Sequence, residues 1–104
     1  MLINLLRDAL EARHLFAFEY DEKPRIVEPH ALGLNKKGEI VVRAFQTNCE
    51  PPAWKMFVLE KALTLTIVTD ARSQAPRPGY KAGDKAMLTI LSELPEPVLE
   101  QVAA

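Results

Sequence analysis

A single cysteine, Cys49, stands in the whole sequence, so no internal disulfide can form. A bridge-free domain of this size fits a reducing compartment, and a cytoplasmic location is expected. No apolar run approaches the ~20 residues that a membrane-spanning helix needs. The opening MLINLLRDALEAR mixes Arg7, Asp8 and Glu11 into its leucines, which reads as neither a membrane helix nor a secretory leader. An excess of basic charge is also missing, since 13 Lys and Arg stand against 14 Asp and Glu for a net charge of −1. Proteins that grip nucleic acid through its phosphates usually carry a basic surplus. Any such contact must therefore come from a local surface. The four glycines stand alone and form no phosphate-binding loop pattern. Covalent catalysis needs a nucleophile, a base and a group that orients the base. The only recruits are Cys49, His14 and His30, at unrelated spacings that make neither a catalytic set nor a zinc set. The chain is accordingly expected to be no enzyme, with no catalytic residue, no metal site and no cofactor.

What is present is ordinary globular material. With 104 residues, 48% of them hydrophobic and 26% charged, the chain has the size and composition of one domain with one core, spanning residues 1–104. Leu2, Leu5, Leu6, Ala9 and Leu10 share one helical face, which predicts a helix over residues 2–14. From Leu15 the period changes to two, with Phe16, Phe18 and Tyr20 alternating along a strand that ends in the polar turn Asp21–Pro24. A second strand at about Arg25–Leu34 contains Pro29, which lacks a backbone donor and predicts a bend or bulge. Asn35-Lys36-Lys37-Gly38 signals a hairpin into a third strand, Glu39–Thr47. Trp54–Leu59 and Ala62–Thr69 read as two more strands, the latter by its β-branched alternation. The stretch from Asp70 through Pro76, Pro78, Gly79 and Gly83 is too punctuated for a regular element and should cross the surface. Ala86–Leu91 reads as a short strand or helical turn, and residues 92–104 as a short helix or tail. One helix followed by about five short strands, without βαβ spacing, predicts a mainly β fold: a small antiparallel barrel over residues 15–91 with the helix packed on it. Its interior is expected from Leu6, Leu10, Phe16, Phe18, Ile40, Val42, Phe57, Leu65 and Ile67.

Several of these segments together resemble the WYL domain family, in order as well as type. ALEARHLFAFEY, closing at Tyr20, is similar to the family's helix and aromatic strand. Arg25-Ile26-Val27-Glu28-Pro29 resembles its arginine, hydrophobic, glutamate and proline segment, continued by Leu32 and Leu34. Lys55-Met56-Phe57-Val58-Leu59-Glu60-Lys61 resembles its basic-x-Phe-x-Leu-acidic-basic segment, with lysine where arginine is usual. Pro78-Gly79-Tyr80 is similar to its closing loop. The family's Trp-Tyr-Leu is replaced by Ile40-Val41-Val42, which keeps the strand character and loses the aromatic surface and the phenol. The resemblance covers roughly residues 5–85 and implies an SH3- or Sm-like barrel. Members usually carry an upstream DNA-binding domain, for which the opening helix alone leaves no room. A protein partner is therefore expected to supply one.

The resemblance raises the standing of a basic set, Arg25, Arg43, Lys55 and Lys61, with His30 nearby in the matched segment. These are the expected ligand-binding residues, forming a basic face for an anionic ligand such as a nucleotide or single-stranded nucleic acid. Trp54 and Tyr80 have the aromatic faces to stack on a base. Two functions of different class follow. One is a non-catalytic, WYL-like sensing module that binds an anion. The other is a structural interaction module forming a homodimer or larger homo-oligomer, or docking on a larger complex, with no membrane contact. Convergence of Arg25, Arg43, Lys55 and Lys61 on one surface would favour the first, and their scatter would favour the second.

Overall fold

The computed structural model of this protein describes residues 2–97. The expected tail from residue 98 onward lies outside them. Helix α1 (Leu2–Glu11) is followed by six strands: β1 (Leu15–Tyr20), β2 (Lys23–Leu34), β3 (Ile40–Gln46), β4 (Ala53–Val58), β5 (Leu63–Val68) and β6 (Thr89–Glu93). A single 3-10 turn, Leu59–Lys61, separates β4 from β5.

Helix α1 buries Leu6, Ala9 and Leu10, whereas Leu2 and Leu5 are more than half exposed. It stops three residues short of the expected His14. Its end is closed by Arg13 N–H donating to the Leu10 carbonyl and His14 N–H to the Ala9 carbonyl, with Arg13 in the left-handed region at φ +63°. This is the Schellman closure, with arginine in the position that glycine usually takes. The β1–β2 hairpin turns through Asp21 and Glu22, both at positive φ, since Tyr20 pairs directly with Lys23. A two-residue loop of this kind suits the right-handed twist of its strands but favours Asn-Gly. At the β2–β3 hairpin Gly38 supplies the positive φ, and the Asn35 side-chain oxygen accepts from the Lys37 and Glu39 amides.

The sheet is antiparallel in the order β4-β3-β2-β1-β5, with β6 pairing β2 off that path. This corrects the expected SH3- or Sm-like barrel. The sheet is open, because its outer strands β4 and β5 are not paired with each other. The long β2 pairs β3 along one edge over Val27–Leu34, and divides the other between β1 over Lys23–Val27 and β6 over Ala31–Leu34. Between β4 and β1 the link is a side chain, the Val58 amide donating to the Tyr20 hydroxyl at 3.2 Å. Closure also needs a particular stagger between strands, which local alternation does not specify. The bend expected at Pro29 is present as a register shift between Pro29 and Ala31.

The main core joins α1 to the sheet through Leu6, Leu10, Phe16, Phe18, Val27, Leu32, Val42 and Phe57. Ile40, Leu65 and Ile67 pack against it while only partly buried. Phe57 meets both Phe18 and Tyr20 edge to face at 5.0 Å. A smaller cluster of Ala31, Val41 and Met87 lies apart from it. There Gly33 admits the incoming chain: a Cβ would stand 2.5 Å from the Thr89 carbonyl and 2.7 Å from Met87 Sδ.

Candidate functional site

Cross-strand pairs share a face of the sheet. Phe45 pairs with Trp54, Arg43 with Met56, and Glu28 with Phe45. Arg43, Phe45, Trp54 and Glu28 therefore project together from one side of β2, β3 and β4. A strap running from Ser73 to Met87 lies over these residues and is held at several points.

The first is Glu28, nearly buried, whose carboxylate accepts from Arg77 Nε at 2.6 Å, Arg77 Nη2 at 3.2 Å and the Gln74 amide at 3.0 Å. The Arg77 guanidinium also lies 4.7 Å from the Phe45 ring centre. The second is His30, fully buried at the β2 bulge. Its Nδ1 is 2.8 Å from the Glu28 carbonyl, and its Nε2 is 2.9 Å from the Arg77 amide nitrogen. An amide can only donate, so Nε2 accepts and Nδ1 carries the proton: the imidazole is neutral. Burial is the largest influence on it and lowers its pKa, outweighing the pull of the Glu28 carbonyl and carboxylate. The third is Tyr80, whose hydroxyl donates to the Leu94 carbonyl at 2.8 Å. Its phenol is pushed up to about 12, first by burial and then by the carboxylates of Glu93, Asp84 and Glu96.

Between β3, β4 and the 79–85 part of the strap opens a cleft of about 450 Å³. Trp54 and Tyr80 form its aromatic wall, their rings near parallel at 28° with centres 6.2 Å apart. Its charged rim is Arg43, Lys81, Asp84 and Lys85. Arg43 is already engaged, donating from Nε to Asp84 at 2.7 Å and from Nη2 at 3.3 Å, which holds the Asp84 carboxyl below its usual range. Among the described residues Lys81 and Lys85 have no carboxylate at salt-bridge distance, and the Trp54 indole N–H has no partner. The cleft therefore presents unpaired donors, while both Asp84 oxygens are already occupied by Arg43 and by the Ala86 amide. Its size suits one mononucleotide-sized molecule.

The structure distributes the expected binding residues over separate places. Arg43 lines the cleft. Arg25 and Lys55 belong to the opposite face, Arg25 donating to the Tyr20 carbonyl and the Gln46 side chain and covering the Phe57 ring at 5.8 Å. Lys55 pairs with Ala44, out of phase with Arg43. Lys61 is exposed on the 3-10 turn beyond β4. His30 sits behind the aromatic wall, 4.6 Å from the Trp54 ring and 5.1 Å from the Tyr80 ring, with both nitrogens committed. The aromatic pair named from sequence does come together. Lys81, Asp84 and Lys85 were not anticipated, nor was the Glu28–Arg77 pair, whose partners are 49 positions apart. Charge in a proline- and glycine-rich loop was the only signal available for them. No family model, no curated protein and no solved structure matches this chain.

Proposed function

We propose that this protein is a non-catalytic, WYL-like binding module that takes an anionic ligand bearing a flat ring, a nucleotide either free or within a single strand, in the cleft beside Trp54 and Tyr80. The observation that carries this reading is the pairing of an aromatic wall with donors for which the described residues supply no acceptor: Trp54 Nε1, Lys81 and Lys85. A base can stack on the wall, and a phosphate supplies the acceptors and the negative charge. The net charge of −1 keeps non-specific phosphate binding weak. Arg43 acts at one remove, by holding the Asp84 carboxylate. Ligand contact with the 79–85 loop bears directly on β6, which the same segment leads into, and so offers a route from the ligand to a partner surface. The lone cysteine fits a cytoplasmic setting, and a DNA-binding domain on another chain is the natural partner for such a sensor.

Trp54 is the only tryptophan in the chain, so its fluorescence reports on the cleft directly. Adenosine, adenosine monophosphate, inorganic phosphate and a six-nucleotide strand are to be titrated at two salt concentrations. Quenching by the nucleotide or strand, weakened by Lys81→Ala and Lys85→Ala, is expected. For the strand, the salt slope should be about −0.7 per neutralised phosphate. Absence of any response at low salt, or one indifferent to both lysines, refutes the proposal.

The second reading, an interaction module, is favoured by the scatter of Arg25, Arg43, Lys55 and Lys61 and by β5. Its sequence LTLTIV has no charge and no proline, Leu63 is 59% exposed, and its outer edge is unpaired among the described residues. Such an edge is a ready template for another strand.

A further inference from the structure

The two outer edges of the sheet are not built alike. β4 carries Lys55 and follows directly on Pro51-Pro52, a charge and prolines of the kind that blunt an edge against further pairing. β5 has neither, and no strand lies beside its outer edge among the described residues. The pairing of Ala17 with Thr66 and of Glu19 with Leu63 leaves Phe18 opposite both Thr64 and Leu65. That bulge, with Thr64 at φ +53°, ends the regular ladder, so Leu65–Val68 is the stretch able to accept a strand. On the face turned away from α1, Ile26 pairs with Ala17 and Ala17 with Thr66. This row runs out to the edge, with Ile26 39% exposed and Thr66 exposed.

Charge separates the two ends of the edge. At the Leu63 end, the hollow formed with Phe18, Pro24 and Thr64 has Glu19 and Glu22 as its charged residues, both exposed. At the Val68 end a second hollow is lined by Arg13, His14, Asp70 and Arg72, two arginines against one aspartate. Glu19, Glu22 and Arg72 have no ion-pair partner among the described residues, where the ion pairs are Arg43–Asp84 and Arg77–Glu28. A uniformly basic or uniformly acidic strand would meet its own charge at one end. A second β5 running antiparallel does not, because a two-fold rotation brings the acidic end of each copy to the basic end of the other. Parallel pairing would set like ends together.

We propose that this protein forms a two-fold dimer in which β5 pairs antiparallel with β5 of a second copy, with the axis at Thr66. This rests on the interaction reading of β5 and adds to it the occupant and the register. Thr66 then stands opposite Thr66, and Leu65 of one copy opposite Ile67 of the other, cross-strand pairs of favourable type. The row Ile26–Ala17–Thr66 continues across the axis, and two sheets become one. Its two ends are then the guarded β4 edges, so the assembly closes at two copies instead of running on as a fibre.

The test uses the full chain at micromolar concentration, with sedimentation equilibrium for mass and circular dichroism for folding. Glu19→Lys/Glu22→Lys makes both ends of the edge basic, and Arg72→Glu makes both acidic. Each variant alone should dimerise about ten-fold more weakly than the parent, since attraction becomes repulsion between charges partly screened by water. An equimolar mixture of the two should recover the parent affinity as a heterodimer, in which opposite charges meet at both ends. Residues directly opposite in an antiparallel pair lie about 4.5–5.5 Å apart at Cα, within disulfide range. Cys49→Ser/Thr66→Cys should therefore form an intermolecular disulfide on mild oxidation. A parent dimer whose variants neither gain from mixing nor crosslink overturns the β5 pairing and leaves the interaction reading to another surface. A parent that is monomeric at every concentration overturns both. The charge changes fall on exposed side chains and the crosslink is read in a separate variant, so poor folding of one protein does not remove the test.

Discussion

Replacing Arg77 by alanine removes the clamp that holds the strap to the sheet. The Glu28 carboxylate would keep only the Gln74 amide as a partner, with its side chain 5% exposed. Breaking a buried ion pair from one side costs about 3–5 kcal/mol, because the remaining charge is left uncompensated. The Arg77 side chain is 27% exposed, so water can re-enter where it stood, and the lower end of that range applies. Losing the cation–π contact with Phe45 adds about 0.5–1 kcal/mol. A total of about 3–4 kcal/mol corresponds to a fall in Tm on the order of 15–25 °C for a domain near this size. Arg77→Lys keeps the charge and loses the fork, and should cost about 1–2 kcal/mol, close to one charged hydrogen bond. The double variant Glu28→Gln/Arg77→Ala should be more stable than Arg77→Ala alone, since it removes the orphaned charge. Calorimetry or thermal circular dichroism gives all four values. An Arg77→Ala protein that melts within two or three degrees of the parent, or a double variant no better than the single, refutes the view that this pair pins the strap.

Because the folded-state pKa of His30 lies below its ordinary 6.5, the unfolded chain binds the extra proton first. Its contribution to stability is complete above pH 6.5 and is lost as pH falls from there through the folded value; His30→Gln, which keeps an acceptor for the Arg77 amide, should flatten that part of a stability–pH curve, and an unchanged slope would count against it. Tyr80 has the opposite sign: its stabilising effect is present below pH 10 and lost as pH rises toward about 12, so ultraviolet titration should show a late phenolate that Tyr80→Phe abolishes. Replacing Asp21-Glu22 by Asn-Gly relieves positive φ at two non-glycine positions and should stabilise by about 1 kcal/mol, read from the urea midpoint; a midpoint that falls would refute the turn assignment. Light scattering at micromolar concentration should give a mass above that of the 11.7 kDa monomer, and Thr66→Lys on β5 should return the monomer; a parent that is monomeric throughout removes the edge-pairing idea.

Much of the local structure was legible from residue order alone. The change of period at Leu15 separated α1 from β1, Pro29 marked the bend in β2, and Gly38 marked the hairpin into β3, because each is a short-range property of neighbouring residues. Trp54 and Tyr80 were recognisable as an aromatic pair by type, but their near-parallel contact required β4 and the strap to meet in space. The four basic residues illustrate the opposite case. Arg43 and Lys55 look alike in sequence, yet the pairing of Arg43 with Met56 and of Lys55 with Ala44 sends them to opposite faces.

The sequence by itself determined the element types from α1 through β5, the strand alternation and most of the core, since side-chain period and turn chemistry act within a few residues; it left β6 open between a strand and a helical turn. Only the tertiary structure decided whether the sheet closed, which charges met and where the cleft lay. Those outcomes depend on contacts between distant segments: Glu28 with Arg77, Arg43 with Asp84, and the Tyr20 hydroxyl with the Val58 amide. Such partners are selected by strand register and loop path, and no local pattern encodes either.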